Sequence, residues 1–257
     1  MPVLPWSART FVKLQRPAYI LLSLMLGASM ALVSGVALDQ AGESGVVKVE
    51  FENEQIRLLR VSLGPHQKGA VHSHPSRLGV TLVSNDIRVY FPDGATKSST
   101  SAAHEYFWSE PVTHQVENIS DAPMQNIEIE LKQARGTGVE VKPASREPLA
   151  RGTAVDPVPV EEEPHHHVRF ENQYVRVLDV VLKPGETTLF HRHSLDNVAV
   201  QLSDATIRRQ FPGGDWSTSP AKDGSVGFTA GTRIPYVHRL ANVGNTVFHV
   251  MDIEIFP

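Results

Sequence analysis

The sequence predicts an all-β protein built from two tandem copies of one unit. Phe51-Glu52-Asn53 and Phe170-Glu171-Asn172 each precede a pair of histidines by 21 residues, and the two copies are offset by 119 residues. Apolar residues alternate with polar ones, as from Ile127 to Leu131, which is the period expected of a strand with one face in water. Turn signals recur roughly every eight to twelve residues, and no convincing helical period follows residue 45. Short strands at this spacing indicate a sandwich or barrel, used twice.

The composition excludes several classes of function. The chain has 257 residues, 41% of them hydrophobic, which is enough for one or two cores. With a net charge of −4 and no dense basic block, we expect no nucleic-acid partner. The absence of cysteine excludes disulfides, thiolate nucleophiles and sulfur ligands. Any metal ion must therefore be held by nitrogen and oxygen.

The first 38 residues predict an export signal. Arg9, Lys13 and Arg16 precede an uncharged apolar stretch over residues 17–38, and small residues at its end offer a cleavage site before Asp39. An uncleaved signal anchor is the alternative, because about 20 apolar residues can span a bilayer. We therefore expect an exported protein, periplasmic or secreted, that is membrane-anchored if the segment is retained.

The repeat defines the remaining boundaries. The first copy covers residues 46–132 and the second covers residues 165–257, with a linker rich in proline and charge at residues 133–164. We expect the linker to be extended and to wrap over the first copy. The tract His165-His166-His167 aligns with the start of the other copy's first strand. This position predicts a strand edge or surface role rather than a ligand role.

Histidines at matching positions indicate metal binding in each copy. Residues i and i+2 of a strand point to one face, so each His-x-His pair presents two imidazoles to one point. A third histidine follows about 40 residues later in both copies. Three imidazoles leave coordination positions open for water or substrate. The candidate ligands are His72, His74 and His114 in the first copy and His191, His193 and His238 in the second.

These residues carry a resemblance to a known family. Gly64 to His74 with Pro111-x-x-His114-x-x-x-Asn118, and Gly185 to His193 with Pro235-x-x-His238-x-x-x-Asn242, resemble the two short motifs of the cupin superfamily. The resemblance covers residues 46–132 and 166–256, so the chain resembles a bicupin. It implies two tandem double-stranded β-helix (jelly-roll) barrels, each holding a metal ion through the three motif histidines.

The chain also departs from the family pattern. Most metal-binding cupins have a glutamate four residues after the second histidine, where this chain has Leu78 and Asn197. Where the second motif usually has glycine, this chain has Pro111 and Pro235. The missing glutamate makes the sites similar to three-histidine cupins, which include thiol and diketone dioxygenases. The implied cofactor is a divalent transition metal, with iron first and zinc, manganese, nickel or copper as alternatives.

Three function classes stay open at this point. The first is a metal-dependent oxidoreductase of the dioxygenase type, acting on a small organic substrate. The second is a bicupin that binds a sugar or organic acid without turnover. The third is a degenerate bicupin in which one site has lost its metal. The expected partner is a small-molecule substrate. We expect contact with a membrane only if the N-terminal segment is not cleaved, and the sequence is compatible with a homo-oligomer.

The two copies differ in polarity around their histidines. The second copy has Asn197 where the first has Leu78, and His249 where the first has Gln125. Polar groups near a metal orient substrate and move protons. We therefore expect the second copy to be the better candidate for chemistry, with Asn197 and His249 as catalytic groups.

Overall fold

The computed structural model describes residues 45–132 and 152–257. The predicted leader and most of the predicted linker lie outside the described residues. Below, residues 45–132 are the first half and residues 152–257 the second half; both fall in one compact unit. In these ranges the structure is strands, turns and one short 3-10 helix, Val160–Glu162. Within the same ranges no helix is long and apolar enough to cross a membrane.

The first half consists of two sheets. One has the order β1-β2-β9-β4-β7 and the other the order β3-β8-β5-β6. The strands are β1 Val46–Glu52, β2 Ile56–Leu63, β3 His72–His74, β4 Arg77–Val83, β5 Asn85–Tyr90, β6 Thr96–Ser101, β7 Tyr106–Ser109, β8 Val112–Asn118 and β9 Met124–Leu131.

The second half repeats this arrangement with one added strand. Its sheets have the orders β11-β12-β19-β14-β17 and β10-β13-β18-β15-β16. The strands are β10 Val158–Pro159, β11 His166–Glu171, β12 Val175–Leu182, β13 His191–His193, β14 Asp196–Gln201, β15 Ala205–Gln210, β16 Ser217–Ala221, β17 Val226–Thr229, β18 Tyr236–Asn242 and β19 Phe248–Ile255.

The largest core cluster lies between the two halves. The five-stranded sheets that contain β9 and β19 face each other across it, and Ile129 and Ile253 are both fully buried there. Aromatic side chains close its margins, with Phe51 stacked on Phe228 at 4.5 Å and Trp108 on Tyr174 at 5.6 Å between ring centroids. Apolar burial on this scale stabilises the pairing of the two sheets.

This packing corrects one sequence expectation. The alternation in Ile127 to Leu131 was predicted to give one wet face, but both faces of β9 are buried. The apolar residues face the other half, while Glu128 and Glu130 face the interior of their own half. A period of two gives the faces of a strand and not their solvent exposure.

The end of the predicted linker packs on the second half rather than the first. Strand β10 pairs in parallel with β13, with Val158 beside His191. Val158 and Val160 are buried, and Glu163 is 1% exposed. Because these apolar side chains need a core, the segment cannot remain an extended linker.

The repeated asparagines stabilise turns. Asn53 accepts hydrogen bonds from two backbone N–H groups in the turn between β1 and β2, and Asn172 does the same between β11 and β12. The side chain of Asn118 donates to Gly64 O (2.9 Å) and Ala122 O (2.8 Å), which ties two loops together. These motif residues therefore fix the scaffold around the histidines.

Candidate metal centres

The first cluster consists of His72, His74 and His114. His72 and His74 alternate on β3, and antiparallel pairing places His114 of β8 directly opposite His72. The ring centroids lie 4.6, 4.8 and 5.2 Å apart, and one nitrogen from each ring lies within 4.8 Å of the others. The three predicted ligands of the first half thus converge on one point.

Hydrogen bonds orient two of these imidazoles. Nδ1 of His72 donates to the Ala70 carbonyl at 2.8 Å, and Nδ1 of His74 donates to Glu130 at 2.6 Å. Each bond leaves Nε2 as the nitrogen available to a ligand. Metal-binding histidines are typically held in this way by a carbonyl or a carboxylate.

The third imidazole is buried and neutral. Burial, followed by the positive charges of Arg77, His72 and His74, lowers the pKa of His114 to about 3. Its Nε2 is buried and makes no hydrogen bond. A neutral imidazole with a free lone pair is the form that binds a metal ion.

An ion pair lies beside the first cluster. Arg77 Nε and Glu128 Oε2 lie 2.9 Å apart, although neither atom makes a hydrogen bond. Glu128 Oε2 is also 3.8 Å from His74 Nδ1. Each charge compensates for the burial of the other, because a buried charge without a partner would be costly.

The second cluster consists of His166, His191, His193 and His238. As in the first half, His238 of β18 lies opposite His191 of β13, with ring centroids 4.5 Å apart. Nε2 of His193 lies 3.1 Å from Nε2 of His238. The three predicted ligands are brought together here too, and His166 joins them with its ring centroid 4.6 Å from that of His191.

This second cluster is closed to solvent. Its four histidines are all buried, whereas His72 of the first cluster is exposed. Burial lowers the pKa of His191 to about 3 and those of His193 and His238 well below the usual value. Tyr236 stacks on His193 at 4.7 Å, at the position that Val112 occupies beside His74 in the first half.

The position of His166 differs from the expectation of a strand edge or surface role. Glu163 accepts a hydrogen bond from His166 Nδ1 at 2.6 Å, so Nε2 is free to face the cluster. His166 is buried because residues 158–163 cover the start of β11. Its equivalent in the first half is Val47, which is exposed.

Asn197 lies in the interior beside the second cluster. Its Nδ2 donates to Asp252 at 2.8 Å and is 3.4 Å from His193 Nδ1. Strand register shows that its structural counterpart is Arg77, not Leu78, because the second copy has one more residue after the histidines. Leu78 instead faces the other half and does not line a site.

His249 is not brought to either cluster. It lies on the face of β19 that points to the first half, where Nε2 donates to Asp179 at 2.6 Å and its ring contacts His104 at 5.3 Å. This hydrogen bond, opposed by burial, lowers the pKa of Asp179. The expectation of a catalytic role does not fit this position.

Four interior carboxyl groups were missed by sequence reasoning. Burial and the neighbouring Glu254 raise the pKa of Asp252 to about 8, which favours the protonated form of this carboxyl group. The signal was present in the repeat, since both copies keep acids at matching positions between apolar residues. The four are Glu128, Glu130, Asp252 and Glu254.

Both clusters fit a divalent ion. Two nitrogens bound to one ion at about 2.0–2.1 Å, with angles of about 90–110°, lie about 2.8–3.4 Å apart. The distance of 3.1 Å between Nε2 of His193 and of His238 falls in this range. His191 Nε2 is buried without a hydrogen bond, as expected for a nitrogen that binds an ion.

Several solved structures have a similar fold. AerE from Microcystis aeruginosa has a TM-score of 0.53 at 12% identity, covering 84% of this chain and 100% of that chain. Oxalate decarboxylase from Bacillus subtilis, in a study of its Mn(II) centers, has a TM-score of 0.51 at 12% identity, covering 79% and 69%. A cupin 2 conserved barrel domain protein from Leptotrichia buccalis has a TM-score of 0.49 at 11% identity, covering 83% and 89%. No family model matches the sequence, and no curated protein matches it significantly.

At these identities the likeness concerns the fold. It agrees with the observed topology, in which each half has two sheets of the same strand order. Each half also has a group of three histidines with one nitrogen each within 4.8 Å of the others: His72, His74 and His114 in the first half, and His166, His191 and His193 in the second. The chain therefore has the bicupin fold, two cupin jelly rolls in tandem, as the motif resemblance predicted.

Proposed function

We propose that this chain is an exported metal-dependent oxidoreductase of the dioxygenase type, and that it acts on a small organic substrate at the first cluster. The observation that carries the proposal is the difference in access between the two clusters. His72 is exposed, whereas every histidine of the second cluster is buried. A catalytic site needs both a metal ion and a path for substrate.

The structure of the cluster walls favours the first half. Val112 flanks His74, while the larger ring of Tyr236 covers His193 at the equivalent place. The greater polarity of the second copy had favoured the second half. The polar groups of the second half form hydrogen bonds with one another, as Asn197 does with Asp252. They form a closed interior instead of an open pocket.

The residues in and around the first cluster would have different roles in binding the ion and the substrate. His72, His74 and His114 would hold a divalent ion, which supplies Lewis acidity and open positions for a bidentate substrate and dioxygen. Glu130 and the Ala70 carbonyl keep two of the imidazoles in the ligating orientation. Arg77 and Glu128 offer a buried charge pair that can orient an acidic group of the substrate.

Iron remains the first expectation for the ion. The Mn(II) centers of the fold neighbour from Bacillus subtilis support a divalent metal without choosing between iron and manganese. Three neutral imidazoles accept either ion. Metal analysis of protein purified from its native host distinguishes them.

Oxygen consumption tests the activity. The full chain, loaded with Fe(II), Mn(II) or Zn(II), is screened on diketones, thiols, phenols and small acids. When oxalate is the substrate, the products are also analysed. We expect turnover with a redox-active ion and a loss of more than about a hundredfold in His72→Ala, since removing even an outer partner of a ligand costs about 10–100-fold.

A matched control is available for this variant. His66 is exposed, has a φ of 55° and forms a hydrogen bond with the exposed residue Asp121 at 2.8 Å. His66→Asn keeps the left-handed backbone and should retain full turnover. Tight binding of an acid or sugar without oxygen consumption would instead support the non-catalytic alternative. Full activity in His72→Ala would overturn the assignment to the first cluster.

Export is a separate part of the proposal. The charged start and the apolar stretch over residues 17–38 support it. N-terminal sequencing of the native protein should find a start near Asp39. An intact Met1 in a cytoplasmic pool would contradict export and leave the metal chemistry untouched.

A further inference from the structure

We propose that the second half holds its ion in a closed site of four imidazoles, with His166 as the fourth ligand, and that this ion fastens residues 158–166 to the second half. The site would be structural, and it goes beyond the function proposed for the first half. Its ligands would be His166, His191, His193 and His238.

The position of His166 is the first support. One nitrogen each from His166, His191 and His193 lie within 4.8 Å of one another, and His238 joins this group through its Nε2, which lies 3.1 Å from Nε2 of His193. His166 is 6% exposed, and a buried imidazole has few ways to satisfy both of its nitrogens. Since Nδ1 is bound to Glu163, its Nε2 is the ligand atom.

The hydrogen bonds around Glu163 show that this arrangement is built into the fold. Its carboxylate accepts from His166 Nδ1 (2.6 Å), from the backbone N–H of His165 (2.8 Å) and from that of Leu189 (3.0 Å). Leu189 lies two residues before His191, and its carbonyl in turn accepts from His191 Nδ1 at 2.9 Å. One buried network therefore orients two of the four imidazoles toward the cluster.

Closure of the cluster points to a structural role. Four protein ligands without an open position are typical of structural metal sites, while catalytic sites keep three. Strand β10 pairs with β13, so the segment before His166 lies directly on the strand that carries His191. An ion bound to both histidines would join the two elements.

The first half provides an internal comparison. At the position equivalent to His166 it has Val47, 51% exposed, which cannot bind metal. The first cluster therefore stops at three imidazoles and the second extends to four. The two sites are expected to differ in affinity and in access to small anions.

The experiment isolates the second site. The full chain carrying His72→Ala and His74→Ala serves as background, so that metal bound at the second half is counted alone. Affinity for Zn(II) is measured by competition with a chromophoric chelator in this background and with His166→Ala added. We expect about one ion per chain in the background and at least a tenfold loss of affinity in His166→Ala.

His167→Ala is the matched control. His167 is the next residue on β11, is exposed and points away from the cluster. It should keep the background affinity and the gain in melting temperature on adding Zn(II), whereas His166→Ala should lose most of that gain. Equal affinity and equal thermal gain in the two variants would overturn the proposal.

Two spectroscopic measurements cover the case in which His166→Ala does not fold. Co(II) in the background protein should give a visible spectrum that azide leaves unchanged, because no position is open. With nitrogen-15-labelled histidine, Zn(II) should shift Nε2 signals of four imidazoles. An azide-sensitive spectrum or only three shifted imidazoles would show that His166 is not a ligand.

Discussion

Single carboxylates orient individual histidines toward the clusters. Burial raises the pKa of Glu163, but hydrogen bonds and charge from His166, with further bonds from His165 and Leu189, outweigh it and lower the pKa from 4.5 to about 2. The carboxylate is therefore more stable in the folded chain than in the unfolded one. A shift of this size corresponds to on the order of 3 kcal/mol of stability.

This shift gives a prediction for metal-free protein. Because the folded pKa lies below the unfolded value, the contribution of Glu163 is complete above about pH 5 and is lost as the pH falls toward 2. Glu163→Gln should lower the free energy of unfolding at pH 7 on the order of 3 kcal/mol, and the difference from wild type should shrink in acid. Urea denaturation at several pH values measures it. A difference that stays constant down to pH 3 would contradict this electrostatic account.

We expect His249 to have a structural role. Its pair with Asp179 occupies the place that Gln125 and Arg60 occupy in the first half, where Arg60 donates to Gln125 at 2.9 Å. His249→Gln should leave metal content and turnover unchanged and reduce the melting temperature slightly. Metal analysis and a thermal scan check this. Loss of the metal ion in the variant would place His249 in the site after all.

The two faces of strand β9 have different roles. Ile127 and Ile129 fill the core between the halves, while Glu128 and Glu130 serve the first cluster. Substitution of Glu130 separates these roles. Glu130→Gln keeps an oxygen that accepts from His74 Nδ1, whereas Glu130→Leu removes it.

Metal affinity should follow that difference. We expect Glu130→Leu to weaken metal binding at the first cluster by about 10–100-fold, with a much smaller loss in Glu130→Gln. Chelator competition in a background lacking the second site, His191→Ala with His193→Ala, measures the first site alone. Equal losses in both variants would mean that charge, and not the hydrogen bond, is what the carboxylate contributes.

Strand patterns also show what the sequence could predict. The two His-x-His pairs followed from strand alternation, which is a local rule, and their third histidines followed from the repeat, which has one at a similar distance in both copies. Local pattern alone could not separate the inward acids from solvent-facing ones, because it does not reveal that a second sheet covers β9; only their recurrence at matching positions in the two copies marked them. His166 was missed for the same reason, since residues 158–163 bury it only after folding.

Alignment of the copies failed at one position for a physical reason. The connection from the histidines to the next strand is one residue longer in the second copy, so Asn197 corresponds to Arg77. A shift of one residue reverses the face of every following side chain in a sequence comparison. Leu78 was therefore expected beside the first cluster, although Arg77 is the residue at that position.

At the scale of the molecule, the two halves depend on a common core. The buried residues between them come from both halves, and Arg60 also donates to the Gly224 carbonyl at 2.6 Å. Neither five-stranded sheet can expose this face to water without losing its apolar burial. The halves should therefore unfold together, although each carries its own histidine cluster.

Leu78→Ala tests this cooperativity. Leu78 is fully buried between the halves, so its truncation should cost about 2–5 kcal/mol. Calorimetry should show one transition at a lower temperature, with calorimetric and van't Hoff enthalpies that agree. Val46→Ala, at a position 67% exposed, is the control and should shift stability by no more than about 0.5 kcal/mol. Two transitions, of which the variant lowers only one, would show that each half is stable without the core they share.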